Sequence, residues 1–253
     1  MKMERLNTIR SLQTENTLDL DDVGFGVDGK EILKDLSFSV TASRIGIVGR
    51  NGSGKSTLAR MLAGLIAPST GKVRVNKVDL VRDRKAALSD VGILFQNPDH
   101  QIIFPTVDEE IAFGLVQQGH SKRSAANLTA ETLADFSKSH WSDAHISTLS
   151  QGQKHLVCMM AIIAMQPKLI VLDEPFTGLD IPTKKQLTRY LTRYQGGLVH
   201  ISHDPSDLRE YNELIWLEDG RLKTTGAAKD VLSEYEAEMS KLGGLDDISN
   251  LAN

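Results

Sequence analysis

"RIGIVGRNGSGKSTLARMLAG", residues Arg44–Gly64, decides how this chain folds. An apolar strand, "RIGIVG", runs into a glycine-rich turn, and "STLARMLAG" then reads as a helix with Gly64 as its C-cap. The turn matches G-x-x-x-x-G-K-[ST], and the strand before it and the helix after it are the context that motif requires. Gly49, Gly52 and Gly54 permit positive φ, so the backbone N–H groups around Asn51, Ser53 and Thr57 can close on phosphate oxygens. The loop opens a helix N-terminus, whose orphan N–H groups and macrodipole favour an anion. Lys55 would reach the β- and γ-phosphates, and Ser56 would set its hydroxyl on Mg²⁺. Such a loop predicts a nucleoside triphosphate without naming a reaction.

Composition bounds the rest. The 253 residues suffice for one large domain or two modest ones. Lys+Arg 29 against Asp+Glu 33 gives a net charge of -4, so the basic excess of a phosphate-backbone binder is missing and no nucleic acid partner is expected. The single cysteine, Cys158, excludes a disulfide framework within one chain and fits a reducing compartment. The longest apolar run, Leu156–Met165, is far below the roughly 20 residues of a spanning helix. The opening "MKMERLNTIRSLQTEN" has no apolar block and reads as a polar arm rather than a signal peptide. Work at a membrane would go through partner subunits.

Outward from the loop, residues 17–48 alternate apolar and polar, with a hairpin turning at Asp28-Gly29. Short strands are expected around Lys72–Val75 and Val91–Phe95. From Asp108 to Met165 the text is mainly helical, in three pieces separated by Gly119 to Lys122 and by "SDAHIST". Then come "LIVL", a helix around Pro182–Tyr194, "GLVHIS" and "NELIWLEDGRL". Strands alternate with helices at each end and a helical block interrupts them, which predicts an α/β sheet domain with an inserted helical subdomain.

Two further stretches carry chemistry. "LIVLDEP" (Leu169–Pro175) ends a buried-strand run in two acids. Neighbouring strand residues point to opposite sides, so Asp173 suits the Mg²⁺ shell while Glu174 suits polarising an attacking water. "LSQGQ" (Leu149–Gln153) opens an apolar helix; Ser150 with Gln153 is a capping box. Gly152 in the first turn costs roughly 0.5–1 kcal/mol against alanine and leaves backbone open to close approach. Ser150, Gly152 and Gln153 thus resemble a second phosphate clamp, which one nucleotide does not need from the same chain.

The phosphate loop, "FQ" at Phe95–Gln96, "LSQGQ", "LIVLDEP", "TGLD" at Thr177–Asp180 and "HISHD" at His200–Asp204, in this order, resemble the ATP-binding-cassette ATPases over roughly residues 17–226. The resemblance implies a P-loop NTPase core with an N-terminal antiparallel β subdomain and an inserted helical signature subdomain at about 97–165. It implies ATP and Mg²⁺ as ligands. It also implies a head-to-tail dimer in which "LSQGQ" of one copy closes on the γ-phosphate held by the other. Gln96 then contacts Mg²⁺ or water and links the nucleotide to the helical subdomain, His203 holds the γ-phosphate and the catalytic water region, and Asp180 crosses the dimer interface. A polar arm (1–16) and an acidic helix with a mobile tail (227–253) flank the domain.

Two positions depart from the family pattern. Val27 stands where an aromatic ring stacks on adenine, which predicts weak discrimination between ATP and GTP because base stacking contributes roughly 1–3 kcal/mol. Gln151 stands where the signature has glycine, which predicts altered turnover. "FQNPDHQIIFPTVDEEIAFGL" (Phe95–Leu115) resembles the cobalt/biotin-type ATPases of energy-coupling-factor transporters, and "RIGIVGRNGSGKST" leans towards the biotin members. That implies a peripheral position on the cytoplasmic membrane face, with a transmembrane coupling subunit and a small substrate-binding membrane subunit as partners. Ile102, Ile103, Phe104 and Val107 are candidates for lining its docking groove, half of them being expected in the core instead. Another ABC importer class, or a cobalt or nickel system, is the alternative. DNA-repair cassettes need a coiled-coil insertion, yet the roughly ninety residues between loop and signature show no sustained heptads. Translation-factor cassettes come two to a chain, and a small-molecule kinase would need neither "LSQGQ" nor "HISHD".

Overall fold

The computed structural model describes residues 14–243. Strands β1 (Asn16–Val27) and β2 (Lys30–Ala42) form the expected hairpin, with Asp28 and Gly29 both at positive φ in the turn. With β4 (Thr70–Val75) and β5 (Val78–Asp79) they make an antiparallel sheet in the order β2-β1-β4-β5. The second sheet runs β10-β9-β3-β8-β7-β6, from β3 (Arg44–Val48), β6 (Val91–Leu94), β7 (Leu169–Asp173), β8 (Gly197–Ile201), β9 (Glu213–Glu218) and β10 (Arg221–Ala227). Its five strands from β9 to β6 pair in parallel, and β10 closes the edge antiparallel to β9.

Alternation along the parallel strands sorts two cores. Ile45, Ile47, Val171, Val199 and Ile201 face the antiparallel sheet and α1 (Lys55–Leu62), whose Leu58, Ala59, Met61 and Leu62 are buried there. Ile170, Leu172, Leu198 and Leu94 face the other way, against α5 (Gln151–Ala164) and α6 (Ile181–Arg193). The inserted block also holds α3 (Val107–Gln117) and α4 (Lys122–Asp135). The sheet therefore serves as the common wall between the nucleotide loop and the helical insert.

Several details differ from the sequence expectation. The short helix α2 (Arg84–Asp90), N-capped by Asp83, and the two-residue β5 lack the length to leave a periodic signal. Asn16, placed in the polar arm, is instead the fully buried first residue of β1, where it accepts from Asn76 Nδ2 at 2.6 Å. Residues 1–13 of that arm and the terminal 244–253 lie outside the described residues. The helix expected after Gly226 is α7 (Ala228–Gly243), which packs Val231, Leu232 and Tyr235 against Leu214 and Trp216 of β9. Of the four candidates for the docking groove, Val107 is core and Ile102 packs against it, Ile103 is 68% exposed, and Phe104 stacks on Phe113 at 5.1 Å beside a cleft of about 650 Å³.

Candidate nucleotide site

The loop between β3 and α1 is held from below and lined from above. A Cβ at Gly49 would stand 2.2 Å from the Leu217 carbonyl, so this glycine is required by the close approach of β9. Ser53 is buried, its hydroxyl without a hydrogen-bond partner. Helix α1 starts at Lys55 and ends in a Schellman arrangement, Gly64 N–H donating to Met61 O and Leu65 N–H to Arg60 O. Asn51, Gly52, Gly54, Lys55, Ser56 and Thr57 line one end of a cavity of about 860 Å³, while Gly49 and Ser53 lie beneath its wall. The Lys55 ammonium donates to Gly49 O (2.8 Å) and Arg50 O (2.9 Å); burial lowers its pKa, and the charges of Glu174 and Asp173 pull the other way.

The two acids separate as the strand pleat demands. Asp173 ends β7 buried and accepts from Ser56 Oγ at 3.0 Å; burial raises its pKa, and the Ser56 hydrogen bond opposes this. A hydroxyl and a carboxylate at this distance are hard oxygen donors, and Mg²⁺ takes one or two protein oxygens and fills its octahedron with water and phosphate. The pair fits that ion. Glu174 follows in a left-handed conformation (φ 52), rare for a residue with a Cβ and held here by its N–H bond to Ile201 O. The turn brings its carboxylate to the cavity wall, where Oε2 accepts from His203 Nδ1 at 2.6 Å. The His203 side chain is more than half exposed, its ring anchored through that one nitrogen.

Gln96 also lines the cavity, just past β6. Its backbone carbonyl lies 3.1 Å from Nε2 of His155, a fully buried residue of α5 whose Nδ1 lies 3.2 Å from Gln151 O. Burial lowers the His155 pKa, so the ring is neutral and carries one N–H for two carbonyls. Lys154 Nζ to Asp99 (2.7 Å) and Gln151 Nε2 to Asn97 (3.4 Å) tie the same helix turn to residues 97–99. The signature helix is thus tethered to the Gln96 segment through His155, a residue that sequence reading did not single out.

The predicted capping box is present: Ser150 Oγ accepts from Gln153 N at 3.3 Å, and Gln153 Oε1 accepts from Ser150 N at 2.7 Å. The open face of Gly152 is not open, however. A Cβ there would meet Thr183 Cγ2 at 2.6 Å, so the glycine lets α6 pack against the start of α5. Asp180 is the exposed N-cap of α6, accepting from Thr183 N at 3.0 Å. Ser150, Gly152, Gln153 and Asp180 line neither this cavity nor the smaller one beside Glu174. The structure gathers Asn51–Thr57, Gln96, Glu174 and His203 in one place and leaves the signature residues outside it. Sequence reading also missed the far end of the cavity: Lys30, Glu31, Ile32 and Lys34 of β2, and Asp219 in the β9–β10 turn. These residues belong to no motif and meet only through the fold.

Comparison with known proteins agrees with this geometry. The biotin transport ATP-binding protein BioM of Rhodobacter capsulatus is 47% identical over 226 residues, covering 89% of this chain and 96% of that protein. The energy-coupling factor transporter ATP-binding protein EcfA2 of Caldanaerobacter subterraneus subsp. tengcongensis is 35% identical over 223 residues, covering 83% of this chain and 77% of that protein. Among solved structures, CbiO1 of Clostridium perfringens, part of the ABC transporter complex CbiONQ, superposes with a TM-score of 0.70 at 26% identity, covering 89% of this chain and 93% of CbiO1. The ABC transporter family profile matches residues 33–177. This chain belongs to the ABC transporter family, as an ATP-binding subunit of the energy-coupling-factor type.

Proposed function

We propose that this chain is the ATP-hydrolysing subunit of an energy-coupling-factor importer whose cargo is biotin. The observation that carries the reading is the single cavity that collects the phosphate loop, Gln96, Glu174 and His203 while the signature cap lies outside its lining. A site so divided is completed by a second copy of the chain, whose exposed Ser150 N-cap adds backbone N–H groups to the γ-phosphate. The biotin assignment rests on the high identity to BioM along nearly its whole length.

In this reading Lys55 and the loop amides bind the β- and γ-phosphates. Ser56 and Asp173 would hold Mg²⁺, with Gln96 on the same cavity wall. Such an ion would supply charge neutralisation on the phosphate oxygens. Glu174 accepts a proton from the attacking water, and His203, oriented by Glu174 through Nδ1, points its other nitrogen at the γ-phosphate. Asp180, capping the helix that packs on Gly152, carries the loop that meets the second copy. Residues 97–165 form the moving helical insert, and the cleft beside Phe104 and Phe113 receives the transmembrane coupling subunit at the cytoplasmic face of the membrane. Residues 17–226 form the motor and α7 is its appended brace.

The test is capture from native membranes in mild detergent, with the intact-complex mass and the identity of each partner. Two copies bound to a coupling membrane protein and a small biotin-binding membrane protein is the expected result. Two copies on a paired permease would remove the energy-coupling-factor assignment.

A further inference from the structure

Beside the Glu174–His203 pair lies the smaller cavity, of about 210 Å³. Glu174, Thr177 and His203 form the wall it shares with the nucleotide cavity, whereas Phe176, Lys184, Asp204 and Asp207 line the smaller one alone. Lys184, near the start of α6, brings the one ammonium in that lining. Its Nζ lies 2.5 Å from Asp207 Oδ1, 3.3 Å from Asp204 Oδ2 and 5.5 Å from the centre of the Phe176 ring. Phe176 is two residues past Glu174, and Asp204 is next to His203. A single cation therefore holds both chain segments that carry the pair.

The pair needs such a hold. The His203 side chain is more than half exposed, and its Nδ1 and its backbone N–H both meet the same oxygen, Glu174 Oε2, at 2.6 and 3.3 Å. Those bonds tie His203 to Glu174 and not to the scaffold. Its chain neighbours supply the scaffold: Ser202 Oγ donates to Asp207 Oδ2 (3.1 Å) and accepts from Asp204 N (3.1 Å). The turn so formed brings two carboxylates to one point. Without the ammonium between them they repel each other, and Asp207, only 8% exposed, has little water to turn to. The turn would then open and draw His203 off Glu174. On the other segment, Phe176 meets both the Lys184 cation and the buried ring of His200, 5.4 Å away, which seats the chain just after Glu174.

We infer that Lys184 is a positioning residue for hydrolysis, clipping the segment after Glu174 to the segment after His203 so that the two side chains keep their bond; the inference rests on the ATPase reading above. Lys184 lies outside the nucleotide cavity, so its loss leaves ATP binding in place. The experiment measures ATP hydrolysis, binding of a fluorescent ATP analogue and urea melts for the full chain and its variants. Lys184→Met keeps the aliphatic stem and removes the charge. Its kcat should fall by about 10–100-fold, the cost of a displacement of about 1 Å, with KM and affinity within about twofold of the parent. Lys184→Arg, whose fork can meet two carboxylates at once, should recover most of that kcat. Because Lys184→Met strands a buried carboxylate, Lys184→Met/Asp207→Asn is measured too; it removes that charge, keeps an acceptor for Ser202 and should show the same low kcat. A kcat within about twofold of the parent in either folded variant, or a loss that Lys184→Arg does not restore, would overturn the inference and leave the ATPase standing. A parent chain that does not hydrolyse ATP would overturn the ATPase reading and this inference together.

Discussion

At the residue scale, charge and shape separate cleanly. Glu174 sits in a strained conformation with its carboxylate hydrogen-bonded to His203. Glu174→Gln keeps the side-chain shape and removes the proposed base, so ATP turnover should fall by about 10²–10⁴-fold while Mg·ATP binding persists. Lys55→Ala should instead lose the nucleotide; calorimetric binding beside steady-state kinetics distinguishes the two. Gly152 supplies a different kind of test. Alanine there gains roughly 0.5–1 kcal/mol of helix propensity, but its methyl group meets a β-branched, χ1-stiff threonine at 2.6 Å. Overpacking of this kind costs about 1–3 kcal/mol, so Gly152→Ala should lower stability in urea melts. A stabilised variant would show that Thr183 yields freely. Sequence alone marked Gly152 as open for a ligand because spacing along one helix says nothing of what another helix brings to it.

At the scale of elements, the link between α5 and the segment after β6 matters most. His155 sits between the carbonyls of Gln96 and Gln151 and can donate to one of them, and its removal leaves that acceptor unpaired and the ring's volume empty. His155→Ala should destabilise the fold by about 2–3 kcal/mol, as a buried polar contact and its volume are lost together. It should also reduce kcat more than it raises KM for ATP, because Gln96 loses its tether while the phosphate loop is untouched. Denaturation curves and initial-rate kinetics check both halves. The long periodic elements were legible from the text: the β1–β2 hairpin, α1, the three helices of the insert and β7 to β10. The Schellman end at Gly64 and the Ser150 capping box were legible too, since each is written in a few consecutive residues. His155 was not, because its partner is a backbone carbonyl 59 residues away. The ring-free wall at Lys30–Lys34 and Asp219 was only hinted at by Val27.

At the scale of the whole molecule, two fully buried histidines set an acid limit. Burial pushes the pKa of His200, hydrogen-bonded to Tyr211, down to about 3, and that of His155 moves in the same direction. A histidine held neutral in the fold takes up a proton only when the chain unfolds, so unfolding gains a proton as pH falls below about 6.5. Stability contributed by His200 is full above that value and declines continuously down to about pH 3. Asp173 acts oppositely, since its raised pKa relieves a buried charge on acidification, but it is one group against two. Urea melts between pH 7 and pH 5 should show falling stability, and His200→Gln, which keeps a partner for Tyr211 without titrating, should show a shallower fall. Equal slopes in the two proteins would remove His200 from the account. The wider claim is that this cassette powers biotin import, and its most direct test is uptake of radiolabelled biotin by cells of the source organism lacking this chain. Uptake should be lost, restored by the parent chain and not by Glu174→Gln; uptake that persists without the chain, or returns fully with Glu174→Gln, would contradict it.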